Sequence, residues 1–226
     1  MLAFSYQIVL SQGNDKQIYT DNLDSLWSKS LSLKSLSNDG NWAMINESYD
    51  KKRDTLRLYH LTKPSKFKFS SVGYGRFTED NNWFSTASPN QELFLVNLKD
   101  LKTTTFKNVY KYDISKPNEY LSIMTSQGKD KKRLVIKSLQ TMDSILVPEV
   151  INYVWHPKEN SLLVNVQSDR KHSIWHFNFD TGAKRKVMES AGMSFHHLSW
   201  SGSGNAYAFL GQSINGQIDI YFIKDN

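Results

Sequence analysis

Leu36-Ser-Asn-Asp-Gly-Asn-Trp42 and Phe77-Thr-Glu-Asp-Asn-Asn-Trp83 share one plan: an apolar residue, a hydroxyl side chain, a polar stretch, and an aromatic residue six positions after the first. The polar stretch is dense in residues that favour tight turns. The same six-residue offset, from an apolar residue followed by Ser, Thr or His to the start of a second strand, returns at Ile114-Ser115 to Tyr120, Trp155-His156 to Ser161 and Trp200-Ser201 to Ala206. Each occurrence reads as a strand end, a turn and the start of a second strand, so each unit opens with a hairpin. Downstream of each lies an apolar hexamer: Leu56–Leu61, Leu93–Leu98, Leu134–Leu139, Ile174–Phe179 and Ile218–Ile223. Positions one, three and six of the hexamers are apolar in nearly every case, and the period of two at their start marks strands rather than helices.

The second-strand starts at 42, 83, 120, 161 and 206 lie 41, 37, 41 and 45 residues apart. That spacing fits four-stranded propeller blades of about 40 to 45 residues. Helix-pair solenoids have similar periods but need long stretches of 3.6-residue periodicity, which are missing here. The expected architecture is therefore all-β: a β-propeller of five recognisable blades of four antiparallel strands, with the last blade incomplete and the ring open or partial. The expected blades cover 31–72, 73–108, 109–148, 149–190 and 191–226 after an amino-terminal segment at 1–19. Strand D of each blade is outermost and tolerates polar residues, as in Lys66–Val72 and Thr103–Asn108.

Composition narrows the function. The 226 residues are 39% hydrophobic and 22% charged, which excludes intrinsic disorder, and no stretch is long and apolar enough for a spanning helix. With no cysteine, disulfides, thiol catalysis and zinc–thiolate sites are excluded. The net charge of +6 favours acidic partners if the cations cluster on one face. Met1–Leu10 has two readings: an export signal, although it lacks a cationic start and a small-residue cleavage site, or a β-strand at Phe4–Leu10.

The basic clusters Lys51-Lys52-Arg53, Lys131-Lys132-Arg133 and Arg170-Lys171 all fall between strands B and C of their blades. B–C and D–A connections share one end of an up-and-down blade, so these eight residues form a candidate basic docking face. The A–B turns at the other end carry Asp39, Glu79, Asp80, Glu119 and Glu159, partly offset by Lys116 and Lys158. Docking of an acidic protein surface or steering of acidic peptides is the functional reading; solvated hairpin tips are the simpler one. Nucleic-acid binding is not expected, because the aromatic residues sit at core positions of the repeat rather than among the cations. His172, His176, His196 and His197 have no carboxylate at ligand spacing and read as blade-edge residues, and His156 replaces the repeat hydroxyl. No metal and no cofactor is expected. Gly73-Tyr-Gly75 lacks the following helix of a phosphate loop, and Asn46-Glu-Ser48 is a bare glycosylation sequon.

Asp24-Ser-Leu-Trp27, Leu36-Ser-Asn-Asp-Gly-Asn-Trp42, Phe77–Phe84 and Leu95-Val-Asn-Leu98 together resemble the amino-terminal propeller of prolyl oligopeptidase-family serine peptidases of the exported bacterial type, with motifs shared by TolB-type propellers. The resemblance covers about residues 20 to 223. It implies a propeller that caps a covalently linked α/β-hydrolase domain and filters peptide substrates, in a periplasmic or extracellular setting. No G-x-S-x-G nucleophile elbow occurs, and Ser201-Gly-Ser-Gly-Asn205 lacks its spacing, so no catalytic residue is carried over. The alternative is a freestanding propeller that binds a protein or a glycan.

Overall fold

A computed structural model describes residues 28–49, 54–70, 74–126 and 132–225. These residues form 19 strands and no helix. The strands fall into five antiparallel sheets, each a simple meander. The first holds β1 (Ser28–Leu36), β2 (Trp42–Tyr49), β3 (Thr55–His60) and β4 (Lys66–Ser70). The second holds β5 (Gly75–Phe77), β6 (Trp83–Ala87), β7 (Leu93–Asn97) and β8 (Thr103–Phe106). The third holds β9 (Val109–Ile114), β10 (Tyr120–Ser126), β11 (Lys132–Ser138) and β12 (Ser144–Val147). The fourth holds β13 (Val150–Trp155), β14 (Ser161–Ser168), β15 (Lys171–Asn178) and β16 (Ala183–Ser190). The fifth has three strands among the described residues: β17 (Met193–Trp200), β18 (Ala206–Ser213) and β19 (Ile218–Lys224).

The second strand of every sheet begins at the residue the repeat marks: Trp42, Trp83, Tyr120, Ser161 and Ala206. These strands are the most buried, and β10 and β14 are buried along nearly their whole length because a neighbouring sheet covers each face. Their alternating side chains therefore both need to be apolar or satisfied. The fourth strands carry the polar load, as the exposed pattern of β8 and the Lys184-Arg-Lys186 run of β16 illustrate.

The core is divided into four apolar clusters, one between each successive pair of sheets. Trp42, Met44, Leu56 and Leu58 meet Phe84 and Val96 of the second sheet. Trp83, Leu93 and Leu95 meet Leu121 and Ile123 of the third. Met124, Leu134 and Ile136 meet Leu162, Val164 and Val166 of the fourth. Leu163 and Ile174 meet Phe195, Tyr207 and Phe209 of the fifth. Trp42 and Trp83 are buried, whereas Tyr120, Trp155 and Trp200 are half-buried at the edges of their clusters. The indole N–H of Trp155 donates to Ser122 Oγ at 2.8 Å, and that of Trp200 points to the Val154 carbonyl at 3.4 Å, which keeps both polar edges paired. The Met1–Leu10 stretch, the rest of the 1–19 segment and the Asp24–Trp27 motif lie outside the described residues. No helix among the described residues is long and apolar enough to cross a membrane.

Candidate functional site

The repeat hydroxyl turns out to be a local clamp on the A–B turn. Ser37, Thr78, Ser115 and Ser201 accept the backbone N–H of Trp42, Trp83, Tyr120 and Ala206 at 2.9, 3.0, 3.1 and 3.2 Å. Three residues after each hydroxyl the backbone is left-handed, at Gly40, Asn81, Asn118 and Gly204 with φ of 69°, 56°, 64° and 87°. Glycine and asparagine are the residues that adopt this conformation most cheaply, which explains their place in the repeat. In the fourth unit His156 does the work of the hydroxyl differently. Its Nδ1 accepts the N–H groups of Lys158 and Glu159 at 3.2 and 2.9 Å, so the ring hydrogen sits on Nε2, which lies 3.0 Å from the Gly204 carbonyl.

Side chains of these turns also reach from one sheet to the next. Asn38 N–H donates to Asn81 Oδ1 at 2.8 Å, and Lys116 pairs with Glu79. Ser115 Oγ donates to Asn160 Oδ1 at 3.0 Å, while Asn160 Nδ2 donates to Glu119 and Asp180 at 2.6 and 2.9 Å. His156 to Gly204 completes the series. Every junction between successive sheets is thus tied at the A–B end. Within the first turn, the Ser37 hydroxyl, aided by the N–H groups of Asn41, holds the Asp39 carboxyl below the usual carboxylate range.

Of the candidate basic face, Lys132, Arg133, Arg170 and Lys171 are described, at the opposite end. Lys51, Lys52, Arg53 and Lys131 lie outside the described residues. Arg170 follows Asp169 at the tip of the β14–β15 hairpin, both with left-handed backbone, and Lys171 is exposed at the start of β15. Lys132 Nζ stands 4.1 Å from the centre of the Tyr110 ring, and Arg133 Nε donates to Thr125 Oγ1 at 3.1 Å. Lys132 and Arg170 share the wall of one cleft of about 460 Å³, together with Glu149 and Asp169. Arg133 and Lys171 do not line it. The two carboxylates had no part in the sequence argument, which counted only the cations of the B–C connections.

A charged cluster on the innermost strands was also missed. Asp113 lies between Arg76 and Lys111, 3.7 Å from each, and Lys111 Nζ stacks 4.3 Å from the centre of the Tyr153 ring in the next sheet. Burial raises the Tyr153 phenol well above its ordinary pKa, so it stays protonated at neutral pH. A second omission is the apolar cleft of about 580 Å³ between the third and fourth sheets, walled by Tyr120, Phe177 and Phe179.

Ser161, His176 and Asp225 have the composition of a nucleophile–base–acid triad. Ser161 Oγ lies 2.8 Å from His176 Nε2, and His176 Nδ1 lies 3.7 Å from Asp225 Oδ1. The hydrogen-bond directions oppose catalysis. Arg185 Nε donates to His176 Nδ1 at 3.1 Å, which leaves the ring hydrogen on Nε2 and no lone pair there to accept the serine proton. Ser161 is only 1% exposed, and its own hydrogen is directed to the Phe177 carbonyl at 3.2 Å. The group is a structural clamp that joins the fourth sheet to Asp225, which also pairs with Arg185. Burial keeps the His176 imidazole pKa below its ordinary value, partly opposed by Asp225. His172 is lowered by burial and by nearby His196. Among the described residues no group of three or more histidine and carboxylate side chains is placed to hold a metal ion.

No family model and no curated protein matches the chain. Among solved structures it is similar to the β-propeller domain of the Trilobed protease from Pyrococcus furiosus, with a TM-score of 0.51 at 14% identity over 88% of this chain and 69% of that one. The fold is a β-propeller. That protease propeller has an open velcro topology. Among the described residues of the present propeller the five sheets are separate antiparallel meanders. The chain is also similar to acylaminoacyl peptidase from Pyrococcus horikoshii, at 14% identity, TM-score 0.48 and 88% and 39% coverage of the two chains. TolB from Acinetobacter baumannii aligns at 14% identity and TM-score 0.45, over 77% of this propeller and 47% of that chain. The propeller thus spans well under two thirds of the length of the last two proteins.

Proposed function

We propose that this chain is the non-catalytic propeller of a prolyl oligopeptidase-like serine peptidase, gating or orienting peptide substrates for a linked α/β-hydrolase domain in a periplasmic or extracellular setting. The observation that carries the reading is the agreement of the five-blade stack with the propeller domain of the Trilobed protease. Two features of the chain support it. The sequence contains no nucleophile elbow, and Ser161 and His176 are buried with their hydrogen bonds directed away from proton abstraction. Lys51, Lys52, Arg53, Lys131, Lys132, Arg133, Arg170 and Lys171 remain the proposed basic face, which would steer acidic peptides or dock an acidic surface.

The test is immunoprecipitation from the source cells with an antibody to this chain, followed by labelling with a fluorophosphonate probe. A labelled serine hydrolase carrying or accompanying the chain is the expected result. Its absence sinks the proposal, and labelling of the purified chain itself would show it to be an enzyme. A second reading, a freestanding propeller that binds an acidic protein, rests on the meeting of Lys132 and Arg170 at one cleft. In that case the antibody recovers an unlabelled acidic partner.

A further inference from the structure

The blades repeat not only in sequence but in which way each side chain faces. Hexamer position one points toward the following blade and is fully buried in the first four: Leu56, Leu93, Leu134 and Ile174 are all 0% exposed. The fifth occupant, Ile218, is 58% exposed. Position three repeats the contrast, since Leu58, Leu95, Ile136 and His176 are at most 7% exposed and Ile220 is 76% exposed. Phe222 continues the same face at 65% exposed, and the register sets Ile220 beside Leu210 on it. Blade five therefore presents a donor face of the kind that is covered in every other blade.

The first blade shows the converse. Hexamer position six packs against the preceding blade at Leu98 and Leu139, which are 8% and 5% exposed, yet Leu61 in blade one is 54% exposed. Leu31, Leu33 and Leu36 of β1 extend this face at 63%, 61% and 49% exposed, with Leu33 paired to Ile45 across the strands. Glu47 and Arg57 on the same face already pair with each other at 2.7 Å, so covering it strands neither charge. No described residue covers either face.

We propose that the occupant of each face is a second copy of this chain, the blade-five face of one copy packing on the blade-one face of the next. One molecule carries both halves of a blade–blade interface, and the four internal interfaces show that these two kinds of face are complementary. The contact joins different surfaces of the two copies, so it is heterologous and propagates head to tail. Exposed apolar patches of this kind mark interaction surfaces, and burial of their area drives association.

Sedimentation velocity and light scattering on the purified full chain, over roughly a hundredfold range of concentration, test this. The expected result is a mass that rises above 26.1 kDa with concentration. Ile220→Lys and Leu33→Glu each replace an exposed side chain, so far-UV circular dichroism should be unchanged while self-association of each variant alone is lost. Each variant keeps the face the other lacks. A one-to-one mixture of the two should therefore form a heterodimer with a single intact interface. A wild-type monomer at every concentration overturns the proposal, and hydrogen exchange at β1 and β19 would then show whether the faces are covered within one molecule. Self-association that survives in both variants, or a mixture that stays monomeric, overturns it as well.

Discussion

The imidazole Nε2 of His156 lies 3.0 Å from the carbonyl oxygen of Gly204, joining the A–B turn of the fourth blade to that of the fifth. A Cβ on Gly204 would overlap the same ring, and the backbone there is left-handed at φ 87°. Gly204→Ala should cost about 1–2 kcal/mol from the backbone alone and more from the overlap. His156→Ala removes the ring, so the second substitution should cost less in that background than in the wild type. Urea unfolding of the four proteins in this cycle measures the difference.

Thr78 clamps its turn through one oxygen, accepting from Trp83 N–H at 3.0 Å and donating to the Trp83 carbonyl at 3.2 Å. Thr78→Val keeps the shape and removes both bonds at a buried position. The expected loss is about 1–3 kcal/mol, with Thr78→Ser retaining most of the stability. Equal unfolding midpoints for the two variants would show that the hydroxyl contributes nothing.

His176 gives stability a pH dependence whose sign follows from its burial. Its pKa in the folded chain lies below the ordinary 6.5, so between the two values the unfolded chain binds more protons. Stability then rises with pH across that window. The melting temperature should hold above about pH 6.5 and fall as pH drops below it, with half-buried His172 acting in the same direction. His176→Asn should flatten the slope, as thermal scans at pH 7.5 and pH 5.5 would record.

Lys132 and Arg170 supply the positive charge of the cleft they share with Glu149 and Asp169. Replacing both with glutamate should weaken binding of a fluorescent polyglutamate peptide by at least roughly tenfold, and added salt should weaken the wild-type binding in parallel. Fluorescence anisotropy provides the measurement. Unchanged affinity would remove these residues from the docking face.

The repeat was legible because it rests on local chemistry. A hydroxyl or His156, a left-handed glycine or asparagine in four of the turns, and a strand start six residues after the apolar one all fall within seven residues, and strands β2, β6, β10, β14 and β18 begin where that pattern places them. What joins the blades was not legible. Asn38 and Asn81 are 43 residues apart and Ser115 and Asn160 are 45 apart, so only the folded stack reveals that they meet. The same holds for Arg76, Asp113 and Tyr153, each ordinary on its own strand. Glu149 tempers the basic cleft for a similar reason, since charge counted along one hairpin omits what the neighbouring connection brings, whereas Asp169 stands beside Arg170 in the sequence itself.

The inter-blade ties at the A–B turns have a mechanical consequence. Among the described residues the polypeptide crosses from blade to blade at the opposite end, between β8 and β9, β12 and β13, and β16 and β17. One edge of the stack is therefore a covalent hinge, and the other is a row of clasps built from Asn38, Lys116, Asn160 and His156. Each clasp contributes on the order of 1 kcal/mol, less where water reaches it. Leaves bound in this way fan apart from the clasped edge while the hinge holds, so urea loosens the stack there first and leaves the spacing at the opposite end the last to change.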